Sequence, residues 1–165
     1  MSVTRALKGL LVVLPLSLVA CGEKPAEEAP PALEPMSQAG ADAVRNTFIN
    51  LYMSKDAANA SQFYAEDAVM YSPDGTIATG RAAVQAAFEG MMAAGMDSLG
   101  MSSTSFEAAG DQATDRGTWI LRTLDPETKE ATRQKGDYVM VHGRQADGSF
   151  KIVKDSVFNA TEVPE

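Results

Sequence analysis

From Gly95 onward the chain changes texture, and that change limits its fold more than any other feature. Residues 98–106, 113–124, 132–145 and 150–159 are rich in Thr, Ser, Val, Ile and aromatic side chains, the types that suit a pleated, half-buried surface. Turn signals separate successive runs: Gly110-Asp111, Asp125-Pro126 and Asp147-Gly148. Strands this long with links this short pair antiparallel in a meander, because a parallel neighbour needs a long crossover connection.

The half before Gly95 reads differently. Val44, Phe48, Leu51 and Tyr52 fall at i, i+4, i+7 and i+8, which predicts a helix from Asp42 onward with one apolar face. Asp56 stands where an N-cap would start a shorter helix through Phe63 and Tyr64. Residues 68–72 have strand character and stop at the turn Pro73-Asp74-Gly75. Gly80 opens a third helix, with Val84, Phe88, Met91 and Met92 on one face, and Gly95 ends it. Helices grouped first and strands grouped later give an α+β layer, with the helices covering one face of an antiparallel sheet.

The N-terminal segment reads as an address rather than as fold. Arg5 and Lys8 precede an apolar run from Leu10 to Ala20, too short for the roughly 20 residues that span a hydrocarbon core. A basic start, a short apolar stretch and small residues predict a secretory signal peptide over 1–20. Leu18-Val19-Ala20-Cys21 resembles the lipobox of bacterial lipoproteins, which implies cleavage before Cys21 and lipid attachment to its thiol. Cys21 is the only cysteine in the chain, so no intramolecular disulfide competes for it. Two or three acyl chains would anchor the protein stably, where one would hold it only marginally. Gly22 follows the cysteine in place of the Asp associated with inner-membrane retention, so the implied location is the outer membrane, facing the periplasm.

Residues 21–36 then read as the lipid anchor and an extended, Pro/Glu-rich tether. The expected domain occupies 37–161, with a short tail over 162–165. The mature chain carries a net charge of about −10, against −8 for the whole sequence. Such an acid excess argues against nucleic acid as a partner, since phosphate recognition needs a basic stripe. It argues equally against a polybasic membrane-surface domain.

Three segments carry a resemblance to a known family: Phe63 through Val69 with Pro73-Asp74-Gly75, Gly80-Arg81 opening a helix, and Gly136 through Val141 followed by Asp147 through Asp155 and Phe158-Asn159. In order and spacing these are similar to the nuclear-transport-factor-2-like superfamily, in its SnoaL-like, ketosteroid-isomerase-like branch. The resemblance covers about residues 41–160. It implies a cone-shaped fold in which a strongly curved sheet wraps the three helices and leaves a pocket at the open end. It also implies a homodimer through the outer face of the sheet.

Whether such a pocket performs chemistry is a question about residues. The isomerases of the superfamily use an Asp base just before the Pro of the first-strand turn, and a first-helix Tyr as oxyanion donor. Counted in register from Tyr64, those positions here are Ser72 and Phe48. A serine is no base at neutral pH and a phenylalanine donates nothing. A third acid of that family corresponds to the strand around Val139-Met140, near Asp137. His142 is the only histidine, with no partners at metal-ligand spacing, so neither a metal nor a cofactor is expected. Its expected place is half-exposed at the sheet rim.

Asp155 is the most suggestive acid. Alternation puts it on one face with Val153 and Val157, either at the pocket or paired to a cation such as Arg122 or Arg144. A carboxyl desolvated at the pocket would have its pKa raised and could act as an acid or base. Tyr52, Tyr71, Trp119, Tyr138, His142, Asp155 and Asn159 are the candidate ligand-binding residues, with Asp155 and His142 the candidate catalytic ones. Met91, Met92, Met96 and Met101 read as core filler. The favoured function is a non-catalytic domain that binds a small, mostly apolar ligand or a protein partner. The alternative is a SnoaL-like enzyme, of isomerase, cyclase or dehydratase type, acting on a small organic substrate through Asp155 or His142.

Overall fold

The computed structural model describes residues 33–164. The expected signal peptide, Cys21 and most of the tether lie outside these residues. Ser37 caps the first helix, α1 (Gln38–Met53), by accepting the Gly40 amide on its side chain. This helix starts four residues earlier than Asp42 and buries Ala41, Arg45, Phe48 and Tyr52. The buried stripe therefore includes a cation, and Val44 and Leu51 sit at its margins. Asp56 caps α2 (Ala57–Ser61) by accepting the Asn59 amide at 3.1 Å. Tyr64 belongs to the first strand rather than to this helix.

β1 (Tyr64–Tyr71) turns through Ser72–Thr76 into the short β2 (Ile77–Thr79). Gly80 leads into α3 (Arg81–Ala93), which buries Val84, Phe88 and Met92. Gly95 stops that helix with φ +94°, and a Cβ there would stand 2.0 Å from the Leu124 carbonyl oxygen. Only glycine fits this junction. Four long strands follow: β3 (Met96–Ala109), β4 (Gln112–Leu124), β5 (Ala131–Arg144) and β6 (Phe150–Glu162).

The six strands form one sheet in the order β2-β1-β6-β5-β4-β3. The meander from β3 to β6 is antiparallel throughout, as the short links require. The sheet as a whole is mixed, because β1 pairs with β6 in parallel. β2, α3 and all of β3, β4 and β5 separate those two strands in sequence, which is ample chain for the crossover. The result is the α+β architecture expected from the order of elements.

Phe48, Tyr52, Tyr64 and Phe88 centre the core as an aromatic cluster. Tyr52 meets Phe88 edge-on at 5.2 Å between ring centroids, and Phe88 meets Tyr64 at 5.6 Å, the geometry aromatic pairs prefer. A smaller cluster gathers Met36, Ala41 and Ala113 near the start of α1. Arg144 also donates to the Glu34 carbonyl at 2.5 Å, so the residues just before α1 lie against the sheet.

Candidate functional site

Between the helices and the concave face of the sheet lies a cavity of about 630 Å³. α1 contributes Phe48 and Tyr52, and α3 contributes Ala87, Phe88 and Met91. The sheet contributes Met101 from β3, Trp119 and Leu121 from β4, and Tyr138 and Met140 from β5. The β1–β2 turn adds Ser72, Pro73, Asp74 and Thr76. The walls are mostly apolar and the polar groups are few, the composition of small-molecule sites. Met91 and Met101, expected as core filler, line this space, while Met92 and Met96 are buried in the core.

Strand register explains why these side chains converge. Gly117 pairs with Tyr138, and Trp119 pairs with Gly136. Each ring lies across the glycine opposite it: a Cβ on Gly117 would stand 2.6 Å from Tyr138 Cε1, and one on Gly136 would stand 2.8 Å from Trp119 Cζ2. The two glycines give the two rings their room.

Asp155 stands in the cavity wall and is 3 % exposed. Its Oδ2 accepts the Tyr64 hydroxyl at 2.6 Å, and its Oδ1 accepts no hydrogen bond. Neither arginine named as a partner reaches it: Arg122 pairs with Asp97 and Arg144 with Asp111. Burial pushes the carboxyl up to about 6, an effect that the Tyr64 hydroxyl and the nearby Ser156 amide partly offset. The Tyr64 phenol is itself driven well above its ordinary range by burial and by Asp155, so it remains a donor.

A bulge in β6 lies just before Asp155. The register of β5 against β6 shifts between His142–Ile152 and Val141–Lys154. Ile152, three residues before Asp155, is therefore buried in the core, where strict alternation puts Val153; Val153 is only partly buried.

Other expected site residues scatter. Tyr52 lines the cavity and donates its hydroxyl to Met91 Sδ at 3.1 Å. Trp119 lines it and donates Nε1–H to the Asp137 carbonyl. Tyr138 lines it and donates to Asp115 Oδ2. Tyr71 does not reach it: Met70 takes the inward position, and Tyr71, 36 % exposed, lies on the other face beneath the Lys154 ammonium. Asn159 is also outside. It adopts φ +54°, a second register shift falls there, and Ala160 takes the wall position while Asn159 bonds to Asp137.

His142 departs most from expectation. It is 2 % exposed rather than at a rim, lies outside the cavity lining, and leaves Nδ1 without a partner. Burial holds its imidazole below the ordinary range, so it is neutral at physiological pH. It makes no hydrogen bond to Asp155.

A second polar centre gathers around Asp115. Arg45 donates to Asp115 Oδ2 at 2.6 Å, Ser103 donates to Asp115 Oδ1 at 2.5 Å, and Tyr138 completes the set at 3.1 Å. Arg45 also binds Asp42 at 2.5 Å. Two signals for it were present in the sequence. Arg45 falls on the stripe Ala41, Arg45, Phe48 and Tyr52, and the alternation that groups Gly117 with Trp119 also includes Asp115. Among the described residues, no helix is long and apolar enough to cross a membrane and no cluster of metal-ligating side chains occurs.

Residues 44–154 match the SnoaL-like domain. The chain belongs to that family, within the nuclear-transport-factor-2-like superfamily. No curated protein sequence matches it. Among solved structures it is similar to a ketosteroid isomerase-like protein from Erwinia carotovora atroseptica, with a TM-score of 0.64 and 13% identity over 75% of this chain and 94% of the other. A nuclear transport factor 2-like superfamily protein from Salmonella enterica gives a TM-score of 0.63 at 10% identity, over 77% and 91% of the two chains. An NTF2-like protein with a cystatin-like fold from Novosphingobium aromaticivorans gives 0.57 at 18% identity, over 74% and 89%. At these identities the likeness is one of fold.

Proposed function

We propose that this chain is a lipid-anchored protein of the bacterial envelope whose SnoaL-like domain binds a small, mostly apolar organic molecule without transforming it. Cys21 would carry the acyl chains, and the Pro/Glu-rich segment after it would let the domain reach into the periplasm. The observation that carries the binding role is the cavity of about 630 Å³, walled by aromatic and methionine side chains around one buried carboxyl.

The chemistry of the walls favours binding over turnover. Proton abstraction next to a carbonyl needs a base and, facing it, a donor for the developing oxyanion. Phe48 and Ser72 occupy the two isomerase positions and supply neither. The aromatic donors in the wall are already committed: Tyr52 to Met91, Trp119 to Asp137, and Tyr138 to Asp115. One observation supports the second reading, an enzyme of isomerase or dehydratase type. Asp155, with a pKa near 6 and a free oxygen lone pair, has the properties of a general acid or base.

Thermal melting of the full chain against a panel of lipids, aromatic metabolites and amines tests the proposal. A bound ligand raises the melting temperature by mass action. Unchanged melting across the whole panel would argue against a ligand and for a protein partner. Consumption of any stabilising compound would favour the enzymatic reading.

A further inference from the structure

The cavity is walled by π faces, and among the described residues its charges are of one sign. Among the described residues, the charged side chains in its lining are Asp74 and Asp155, with no Lys, Arg or His. Nearby cations are committed elsewhere: Arg45 to Asp42 and Asp115, Arg81 to Glu66, and Lys154 over the Tyr71 ring on the opposite face of the sheet. An anionic ligand would therefore meet two carboxylates and no counter-charge.

Asp155 is incomplete as it stands. A buried carboxylate is normally paired or fully hydrogen-bonded, because desolvating an unmatched charge is costly. Here one oxygen has the Tyr64 hydroxyl and the other has nothing. The same wall holds the rings of Phe48, Tyr52, Phe88, Trp119 and Tyr138, and the negative faces of such rings attract a cation that has left water. The net charge of −8 adds a long-range field that draws cations in.

We infer that the ligand is an apolar amine: a hydrocarbon or aryl body in the cavity, with a protonated nitrogen donating to Asp155 among the aromatic rings. The inference rests on the proposed ligand-binding role and names the chemical class that role would serve. An ammonium supplies several donors and the missing charge, whereas an alcohol supplies one donor and no charge. Binding leaves Tyr64 on Oδ2 and gives Oδ1 its partner. No bond is made or broken.

A matched series tests this on the full chain: 2-(2-naphthyl)ethylamine, 2-(2-naphthyl)ethanol and 3-(2-naphthyl)propionate, titrated by calorimetry into wild type and Asp155→Asn. The amine is expected to bind wild type about ten-fold or more tighter than the alcohol, the gain typical of a charge-assisted bond with cation–π contacts. The propionate should bind weakest. In Asp155→Asn the amine should fall to the level of the alcohol, whose own affinity should barely change. Equal binding of amine and alcohol, or a preference that survives Asp155→Asn, would overturn the inference and leave an apolar ligand pocket standing. Failure of all three compounds to bind would overturn the pocket's ligand-binding role as well. The three-ligand comparison on wild type alone decides the question if the variant folds poorly.

Discussion

Tyr64 donates its hydroxyl to Asp155 Oδ2 across 2.6 Å, joining the start of the first strand to the middle of the last beneath the aromatic cluster. Among the described residues, this bond is the one side-chain hydrogen bond that holds the cavity's buried carboxyl. Tyr64→Phe removes it without changing the ring. A hydrogen bond to a charged group is worth about 1.5–3 kcal/mol, so urea denaturation near neutral pH should show a loss in that range. The Asp155 pKa should also rise further above about 6, as followed by carboxyl-carbon NMR. A variant with unchanged stability and titration would show that the bond is not held in solution.

Asp155 makes the fold pH-dependent in a direction opposite to most acids. Its folded pKa of about 6 exceeds the roughly 3.9 of an unfolded Asp. The folded state thus holds the proton more tightly. Its stability contribution is fully present below about pH 4 and is lost as pH climbs through about 6. The titratable groups facing it, Tyr52 and Tyr64, are both pushed upward and stay neutral in this window. Asp155→Asn should match wild type near pH 4 and exceed it by on the order of 2–3 kcal/mol at pH 7.5 without ligand. A constant difference at both pH values would contradict the burial of this carboxyl.

Arg45 and Asp115 form a buried ion pair, with side chains 9% and 1% exposed. Removing Arg45 leaves Asp115 buried without a counter-charge, which typically costs about 3–5 kcal/mol. Arg45→Met should fall in that range by denaturant titration, and Asp115→Leu should cost less, because Asp42 still pairs with Arg45. The double variant should recover much of the loss, because the pair is then replaced by apolar groups. Additive losses would show that the two side chains act independently.

Gly117 and Gly136 make room for the two rings of the inner wall. In Gly117→Ala the new Cβ would stand 2.0 Å from the Ser102 carbonyl oxygen and 2.6 Å from Tyr138. Backbone cannot yield as a flexible side chain can, so the loss should reach about 3 kcal/mol. Near-ultraviolet circular dichroism should report the displaced tyrosine. A neutral substitution would contradict the β4–β5 register.

Much of the fold was legible because its signals are local. Asp56 and Gly95 mark helix ends through their own backbone chemistry, and short turns leave consecutive strands only antiparallel pairing. The parallel β1–β6 junction was not legible, since it joins residues about 90 apart with no turn between them. In the site, alternation puts Gly117, Trp119 and Leu121 on one face of β4 and Tyr138, Met140 and His142 on one face of β5, but alternation alone does not say which face is inner. It also failed wherever the chain bulges. The shifts near Val153 and Asn159 each displace the phase by one residue, which exchanges Val153 for Ile152 and Asn159 for Ala160. Arg45 and Asp115 lie on the apolar stripes, but a buried charge is explained only by its partner, and the partner is 70 residues away.

The proposed lipid anchor rests on Cys21 and the small residues before it. Cys21→Ser, expressed in a Gram-negative host fed labelled palmitate, should incorporate no label and should leave the membrane fraction. Retention of label by the variant would place the acylation elsewhere.

Native mass spectrometry of the full chain, purified gently from the organism that makes it, tests the central claim most directly. The account predicts an excess mass of a few hundred daltons, consistent with the size of ligand such cavities hold, that disappears on denaturation. It should also be missing from Ala87→Trp, which fills the cavity from α3. A bare chain mass from wild type, or an adduct retained unchanged in Ala87→Trp, would contradict a ligand held in this cavity.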